Sequence, residues 1–460
     1  MDSNLARRLA AIVGERHVLT GIECSPYVLE GRTPEAVVFP GAREEVAALL
    51  VLAGEDGMPV TPWGGGTRMS VGLPPARPGL VLSLKRLDRL IEHEPGDLTA
   101  TAEAGLTLGA FQEALGRRGQ WLSLDPPNPR EGTLGGIVAS NASGPRRHLY
   151  GTMRDLLIGL TVILADGSIV RGGGKVVKNV AGYDLPKLVI GSFGTLGVVV
   201  EATFKLRPRP DTDRLVLARF ERVKDAGAAV RALMASDLIP SALDLVDPEA
   251  LRALDPGGRE GAALLLGFDG IAEQVEWQCA ELPRILGAGA RVDTRVLDGA
   301  ERDALWQAAG ALPRTALPGV TGVMKWGVLP SQVAEVIDSG GDVARRHGLT
   351  AAFTAHAGMG IVTAILGSSS GGSTPGGSSG GSPGGGSAVA ATSVAAALGD
   401  WRALVHAAGG HAMLEWAPLA VKERVPVWDP PGAPQRIMAR LKAELDPRGT
   451  LNPGRFVGGI

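Results

Sequence analysis

Cysteine is nearly absent from this chain of 460 residues: Cys24 and Cys279 are the only two. They can form neither a disulfide framework nor a CxxC pair that would hold zinc or an iron–sulfur cluster, and so sparing a use points to the cytosol. An excess of one charge is absent too. Forty-six lysines and arginines face 48 aspartates and glutamates, a net charge of -2, so nothing recruits nucleic acid electrostatically. The longest apolar stretch, around Leu156 to Ala165, is far short of the roughly 20 residues that span a bilayer. The opening segment MDSNLARRLAAIVGERHVL is an amphipathic helix pattern with charges throughout, without the uninterrupted apolar centre of an export signal. These absences predict a cytoplasmic protein, with at most a peripheral place on the inner face of the cytoplasmic membrane, and no metal site of its own.

What is abundant is glycine, 66 residues, well above the roughly 7% of average usage. One share of it lies in the tract GSSSGGSTPGGSSGGSPGGGS, residues 367–387, which has no apolar residue and no charge and therefore reads as a flexible segment outside any core. The other share sits in short loops between apolar strand-like runs, where glycine permits positive φ or close backbone approach.

The length predicts two to three domains. After an N-terminal helical segment (1–34), AVVFPGAREEVAALLVLAGEDG reads as a strand, a turn and an amphipathic helix, and MPVTPW as a buried strand. Strand candidates follow at Leu80 to Leu84 and Leu98 to Ala104, then a helix over Leu108 to Arg118. LIGLTVILADGSIVRGG is a hairpin turning at Asp166-Gly167. Beyond Pro208 and Pro210 the texture changes to strands alternating with helices, predicting a second, α+β domain whose antiparallel sheet carries helices on one face. The expected divisions are 35–210, 211–414, and a C-terminal return to the first domain over 415–460.

Three glycine loops carry the chemistry. Pro62-Trp63-Gly64-Gly65-Gly66-Thr67 follows a strand, and successive glycine amides form a concave donor array suited to a pyrophosphate, although the hexapeptide alone reads equally well as a surface turn. It leads into no helix and lacks GxGxxG and GK[ST], so it is neither a Rossmann fingerprint nor a Walker loop. The second loop, Gly132-Thr133-Leu134-Gly135-Gly136-Ile137-Val138-Ala139-Ser140-Asn141-Ala142-Ser143-Gly144, would let a planar ligand approach the backbone, with Ser140, Asn141 and Ser143 as hydrogen-bonding groups; tight helix–sheet packing is the competing use of its glycines. The third, Gly191-Ser192-Phe193-Gly194-Thr195-Leu196-Gly197-Val198, is by itself a plain structural turn.

Taken together in this order and spacing, the loops resemble the FAD domain of the vanillyl-alcohol oxidase and para-cresol methylhydroxylase superfamily, from about Ala36 to Pro210, and DPRGTLNPGRFVGG resembles its C-terminal return. The resemblance implies an α+β fold: a two-subdomain FAD-binding domain plus an α+β cap with an antiparallel sheet. It assigns the pyrophosphate to Pro62–Thr67. Pro126 and the second loop (Gly132, Thr133, Gly135, Gly136, Ser140, Asn141, Ser143, Gly144) would serve the pyrophosphate and ring region. The third loop (Gly191, Gly194, Thr195, Gly197, Val198) would serve the adenosine and ring edge. Covalent members place a histidine at the end of the first loop; Thr67 stands there, which implies non-covalent FAD.

The second domain resembles the cap of FAD-linked D-2-hydroxy-acid dehydrogenases, the D-lactate dehydrogenases and bacterial glycolate oxidases. Its cationic carboxylate contacts would fall at Arg314 and Lys325 in LPRTALPGVTGVMKWGVLP, both equally readable as solvated charges. The family motif GHxGDGNxH is reduced to Ala355-His356-Ala357-Gly358-Met359-Gly360, without its second histidine. The Glu-His strand keeps Glu415 but has Trp416 for the histidine. His356 and Glu415 are thus the catalytic candidates, too few for a closed metal site. PWGGGT, NVAGYDLPKL, HAG, the E-x-A-P strand and LNPGRF together resemble the smaller FAD-binding subunits of glycolate oxidases. That resemblance implies a larger FAD subunit with the complete histidine motif, an iron–sulfur subunit and a 2-hydroxy-acid substrate. In this frame Lys178, Asn179, Tyr183, Asp184 and Lys187 are candidates for flavin or partner contact, or for the polar rim of a sheet edge. A free-standing dehydrogenase using His356 as base and a non-catalytic FAD scaffold are the competing expectations.

Overall fold

The computed structural model describes residues 3–175, 183–287, 293–368 and 386–460. Lys178, Asn179 and most of the Gly/Ser tract at 367–387 lie outside the described residues. The chain folds into two compact units. Unit 1 takes Met1–Gly144, Gly151–Arg209 and Pro430–Ile460, and unit 2 takes Pro145–Tyr150 and Pro210–Asp429. The return to unit 1 therefore starts at Pro430 and not at residue 415, because residues 415–429 stay with unit 2.

Unit 1 holds two sheets. In the first, β1 (Val18–Thr20), β2 (Ala36–Val38), β3 (Val60–Trp63) and β4 (Leu80–Ser83) run in the order β1-β2-β4-β3, with β2, β4 and β3 parallel. The crossover between β2 and β3 is the helix Arg43–Glu55. It buries Val46, Leu49, Leu50 and Ala53, the i, i+3, i+4, i+7 stripe of one helix face. The second sheet is antiparallel. It comprises β5 (Leu90–Glu94), β6 (Thr99–Glu103), β8 (Leu157–Ile163), β9 (Ile169–Gly173) and β10 (Val198–Lys205), ordered β5-β6-β10-β8-β9. A short pair, β7 (Gln120–Trp121) with β11 (Arg207–Pro208), flanks it. The β8–β9 hairpin turns at Asp166-Gly167, with Gly167 at φ 85°. The C-terminal segment closes the first sheet: Leu451 bridges β3 in parallel at Val60, with Val60 N–H donating to Thr450 O and Asn452 N–H to Val60 O.

Unit 2 is built on eight antiparallel strands: β12 (Thr212–Phe220), β13 (Ala242–Val246), β14 (Ala262–Gly270), β15 (Asp293–Leu297), β16 (Val320–Gly327), β17 (Leu349–His356), β18 (Ile361–Ser368) and β19 (His411–Trp416). Their order is β15-β12-β14-β13-β17-β18-β16-β19. One face, with Val216, Leu243, Leu264, Met324, Phe353 and Leu414, packs under the helices Val223–Met234, Ala272–Leu286, Val333–Arg346 and Gly386–Ala407. The expectation of helices on a single face fails. The opposite face carries a second apolar cluster (Leu215, Leu217, Val246, Leu265, Ala352, Ile365) covered by Pro248–Leu254 and Gly299–Thr315. Every residue of β13 is buried for this reason, the mark of a strand covered on both sides.

Candidate functional site

The first site element is a cleft in unit 1. It is lined by Pro62–Thr67, Pro126, Gly132, Thr133, Gly135, Gly136, Ser140, Gly194, Gly197 and Val198, so parts of all three glycine loops meet there. The sequence reasoning missed Arg68, Met69, Val71, Phe193, Asn452 and Arg455, which line it as well. Asn141, Ser143, Gly144, Gly191 and Thr195 stand behind the lining. Asn141 caps the helix Leu134–Ser140 in the left-handed region (φ 48°), and Gly191 and Phe193 N–H donate to Val138 O and Ala139 O, fastening the third loop to that helix.

The glycines of the first loop are required by proximity. A Cβ on Gly64 would collide with Thr133 Oγ1, and one on Gly65 with the Glu131 carbonyl. Gly66 sits at φ 77° against the Trp63 ring, which is itself anchored edge-on to Tyr27 with centroids 5.1 Å apart. The two donor sets differ. Among the described residues the amides of Gly64, Gly65, Gly66 and Thr67 have no hydrogen-bond acceptor, whereas those of the second loop are committed: Gly132 to Asn128 O, Leu134 to Leu106 O, Gly135 to Ala104 O and Gly136 to Thr133 Oγ1. Free donors at the first loop and close backbone at the second make a cradle that fits a dinucleotide pyrophosphate, and Asn452 adds a buried partnerless oxygen to its lining. Arg455 is buried beside it, donating to Met69 O, Val71 O and Leu73 O, and burial pulls its pKa down to about 10.

The second site element is a polar row on one face of the large sheet of unit 2. Side chains alternate across a strand, so His356 and Thr354 on β17, Thr363 on β18, Lys325 on β16 and Met413 on β19 share the face that also bears Asp244 on β13. These positions are half-buried apart from Asp244, which is buried. His356 Nδ1 lies 2.8 Å from Asp244 Oδ1, its direct cross-strand neighbour. Val323 pairs with Trp416 and Met324 with Leu414, so Glu415 is the extra residue of a bulge in β19, and its Oε1 comes within 3.4 Å of Lys325 Nζ. The fold thus joins the expected catalytic carboxylate to the expected substrate cation. Arg314 lies apart from the row, exposed in the last turn of Gly299–Thr315 and in no ion pair with a described residue. Tyr183 is exposed, and Asp184 caps the helix Leu185–Val189 through Lys187 N–H while pairing with Lys187 Nζ.

Two residues near His356 had no signal in the motifs. Asp244 is one, and His148 is the other, carried by the short helix Arg147–Tyr150 that packs against β13. Burial holds the His148 imidazole below its ordinary pKa; Asp244 works against that shift and His356 adds to it. No group of three histidines, cysteines or carboxylates among the described residues is arranged to hold a metal.

The fold is of the para-cresol methylhydroxylase type. The structure of p-cresol methylhydroxylase with substrate bound matches with a TM-score of 0.77 over 98% of this chain and 96% of that one, at 16% identity. The 4-ethylphenol oxidase from Gulosibacter chungangensis matches at 0.74 with the same coverage and 17% identity, a likeness of fold alone. Sequence carries the relation further. Residues 34–173 match the family described as FAD binding domain, and residues 209–368 the one described as FAD linked oxidases, C-terminal domain. The glycolate oxidase subunit GlcD of Bacillus subtilis is 34% identical over 71% of this chain and 72% of its own length. The D-lactate dehydrogenase of Archaeoglobus fulgidus is 31% identical over 92% and 91%. The chain belongs to this family of FAD-linked oxidases and dehydrogenases. It is an oxidoreductase whose cofactor is FAD, and no described helix is long and apolar enough to cross a membrane.

Proposed function

We propose that the chain is an FAD-binding subunit of a glycolate-oxidase-type complex. In this reading it takes part in oxidising a small 2-hydroxy acid to the 2-oxo acid, with electrons leaving through a larger FAD subunit and an iron–sulfur subunit, whose contacts would account for any peripheral membrane location. The observation that carries the chemistry is the row His356–Thr363–Lys325–Glu415 on one sheet face. It offers a cation for a carboxylate and, a few residues away, a base for a hydroxyl proton. The amides of Gly64–Thr67 take the pyrophosphate, and Thr67 leaves the flavin without a covalent link. When bound, FAD supplies the two-electron acceptor for the C–H bond. Lys325 orients the substrate carboxylate and Glu415 restrains the Lys325 side chain. His356, with Nδ1 turned to Asp244, presents Nε2 as the proton acceptor.

Anaerobic titration with glycolate and D-lactate, read as loss of flavin absorbance, tests this reading. Bleaching in the reconstituted complex but not in the isolated chain is expected. Bleaching by the isolated chain would make it a free-standing dehydrogenase, the reading favoured by the near full-length match to a D-lactate dehydrogenase. Absence of bleaching in both preparations would overturn the substrate class. Flavin that stays on the polypeptide after acid precipitation would overturn the non-covalent attachment.

A further inference from the structure

The second histidine of the family motif is missing from the sequence around His356, yet the fold brings a second imidazole to the same place from another part of the chain. The polypeptide leaves unit 1 after Gly144, contributes Pro145–Tyr150 to unit 2, and rejoins unit 1 at Gly151. This excursion is pinned by charge. Arg146 donates to Asp213 at 2.5 Å and to Asp269 at 2.7 Å, the Tyr150 hydroxyl bonds the other Asp269 oxygen, and Arg302 reinforces Asp213 at 3.1 Å. Asp269 is fully buried as a side chain and Arg146 nearly so, a commitment that fixes the backbone between them. What the excursion delivers is His148. Gly358, two residues beyond His356, lies so close that a Cβ there would collide with the His148 ring. His148 Nδ1 is buried and has no hydrogen-bond partner in the structure.

We infer that His148 and Asp244 are positioning residues for His356, the three forming one cluster that holds a single excess proton during substrate oxidation. The inference rests on the reading of His356 as the base. Asp244 accepts from His356 Nδ1–H, which leaves Nε2 with its lone pair free for the substrate. With FAD bound as the acceptor of the C–H hydrogen and its electron pair, the hydroxyl proton of a 2-hydroxy acid would pass to His356 Nε2 as the C=O bond forms. The imidazolium so created is balanced by the Asp244 carboxylate. A proton on His356 works against a second one on His148, whose imidazole burial already holds below its ordinary pKa. The ionisable groups acting on His148 are Asp244 from β13 and His356 from β17; Arg146, on its own segment, is already spent on Asp213 and Asp269.

The test uses the flavin-loaded protein labelled with 13Cε1-histidine and needs no substrate. The expected result is that His356→Gln raises the His148 titration midpoint and Asp244→Asn lowers it, each by about 0.5 unit or more. Loss of the repelling imidazolium drives the first change and loss of the attracting carboxylate the second. In the active assembly, His148→Gln is expected to lower kcat about tenfold or more and to move the acidic limb of its pH profile while KM holds. A His148 midpoint indifferent to both substitutions, or a kcat profile of unchanged shape in His148→Gln, overturns the inference. Failure of the substrate assignment would show as absent bleaching with the coupled midpoint shifts still present.

Discussion

The cleft of unit 1 and the polar row of unit 2 are built from different materials. The cleft is made of backbone: glycines that let two loops touch, amides without acceptors, and a helix end capped by Asn141. The row is made of side chains collected from five strands and an excursion of six residues. A backbone-built site keeps its pattern in contiguous sequence, since each loop is its own unit of function. A side-chain-built site scatters its members, and its geometry exists only once the strands are in register.

The contrast can be broken at several points. The largest effect is expected from Gly65→Val, because the new side chain has to displace the Glu131 carbonyl. Flavin per chain, read from absorbance, should fall about tenfold or more while unit 2 keeps its melting transition, since a 1.4 kcal/mol loss of binding already costs a factor of ten. Retained flavin would mean that the cradle is not the binding site. Next comes Lys442→Met. The Lys442 ammonium is buried among Asp446 at 2.5 Å, Thr195 O at 2.7 Å and Leu451 O at 2.8 Å. Removing it leaves the buried Asp446 carboxylate with the Thr450 and Leu451 N–H donors but no counter-charge, at a cost of about 3 kcal/mol in denaturant unfolding of unit 1.

In unit 2 the group most sensitive to pH is Asp247. Buried in unit 2, it accepts from Ala250 N–H and Phe353 N–H, and burial raises its pKa from 3.8 to about 7. A carboxyl whose folded pKa lies above its unfolded value gives its full stability below about pH 4 and loses it as pH rises towards 7. Three pKa units at 1.36 kcal/mol each bound this loss at about 4 kcal/mol. Asp247→Asn keeps an acceptor oxygen, so thermal melts of the variant should lose the part of the pH dependence of unit 2 that falls between pH 4 and 7. A variant with the slope of the parent protein would show that the group is already ionised. The smallest change is Thr107→Ala, which removes the cap accepting Ala110 N–H at the start of Leu108–Gly116. Calorimetry should register about 1 kcal/mol in unit 1, with flavin content unchanged.

The loops were legible because PWGGGT and its two companions place glycine where a Cβ has no room. The hairpin at Asp166-Gly167 and the helix over Leu108–Gly116 were legible from turn chemistry and apolar spacing. Arg455 was visible only as part of LNPGRF, with nothing to say that it would reach back to Met69, Val71 and Leu73. The second layer of helices on the large sheet went unread because Leu215, Leu217 and Leu265 alternate with equally apolar neighbours, and a strand buried on both faces carries no period of two. His148 and Asp244 had no local mark at all. One is a histidine in a basic turn and the other a lone aspartate in an apolar strand, and only the β13–β17 register and the docked excursion bring them to His356.

The bridge between Val60 and Leu451 sets an order on events at the ribosome. Strand β3 and the first glycine loop emerge early, but the residues that finish their sheet and brace the cleft, Leu451, Asn452 and Arg455, are translated only after all of unit 2. At about 5–20 residues per second, the nascent flavin unit waits tens of seconds with its β3 edge unpaired. Capture of FAD is therefore expected to follow synthesis of both units. A ribosome stalled within unit 2 should carry a chain that binds no flavin.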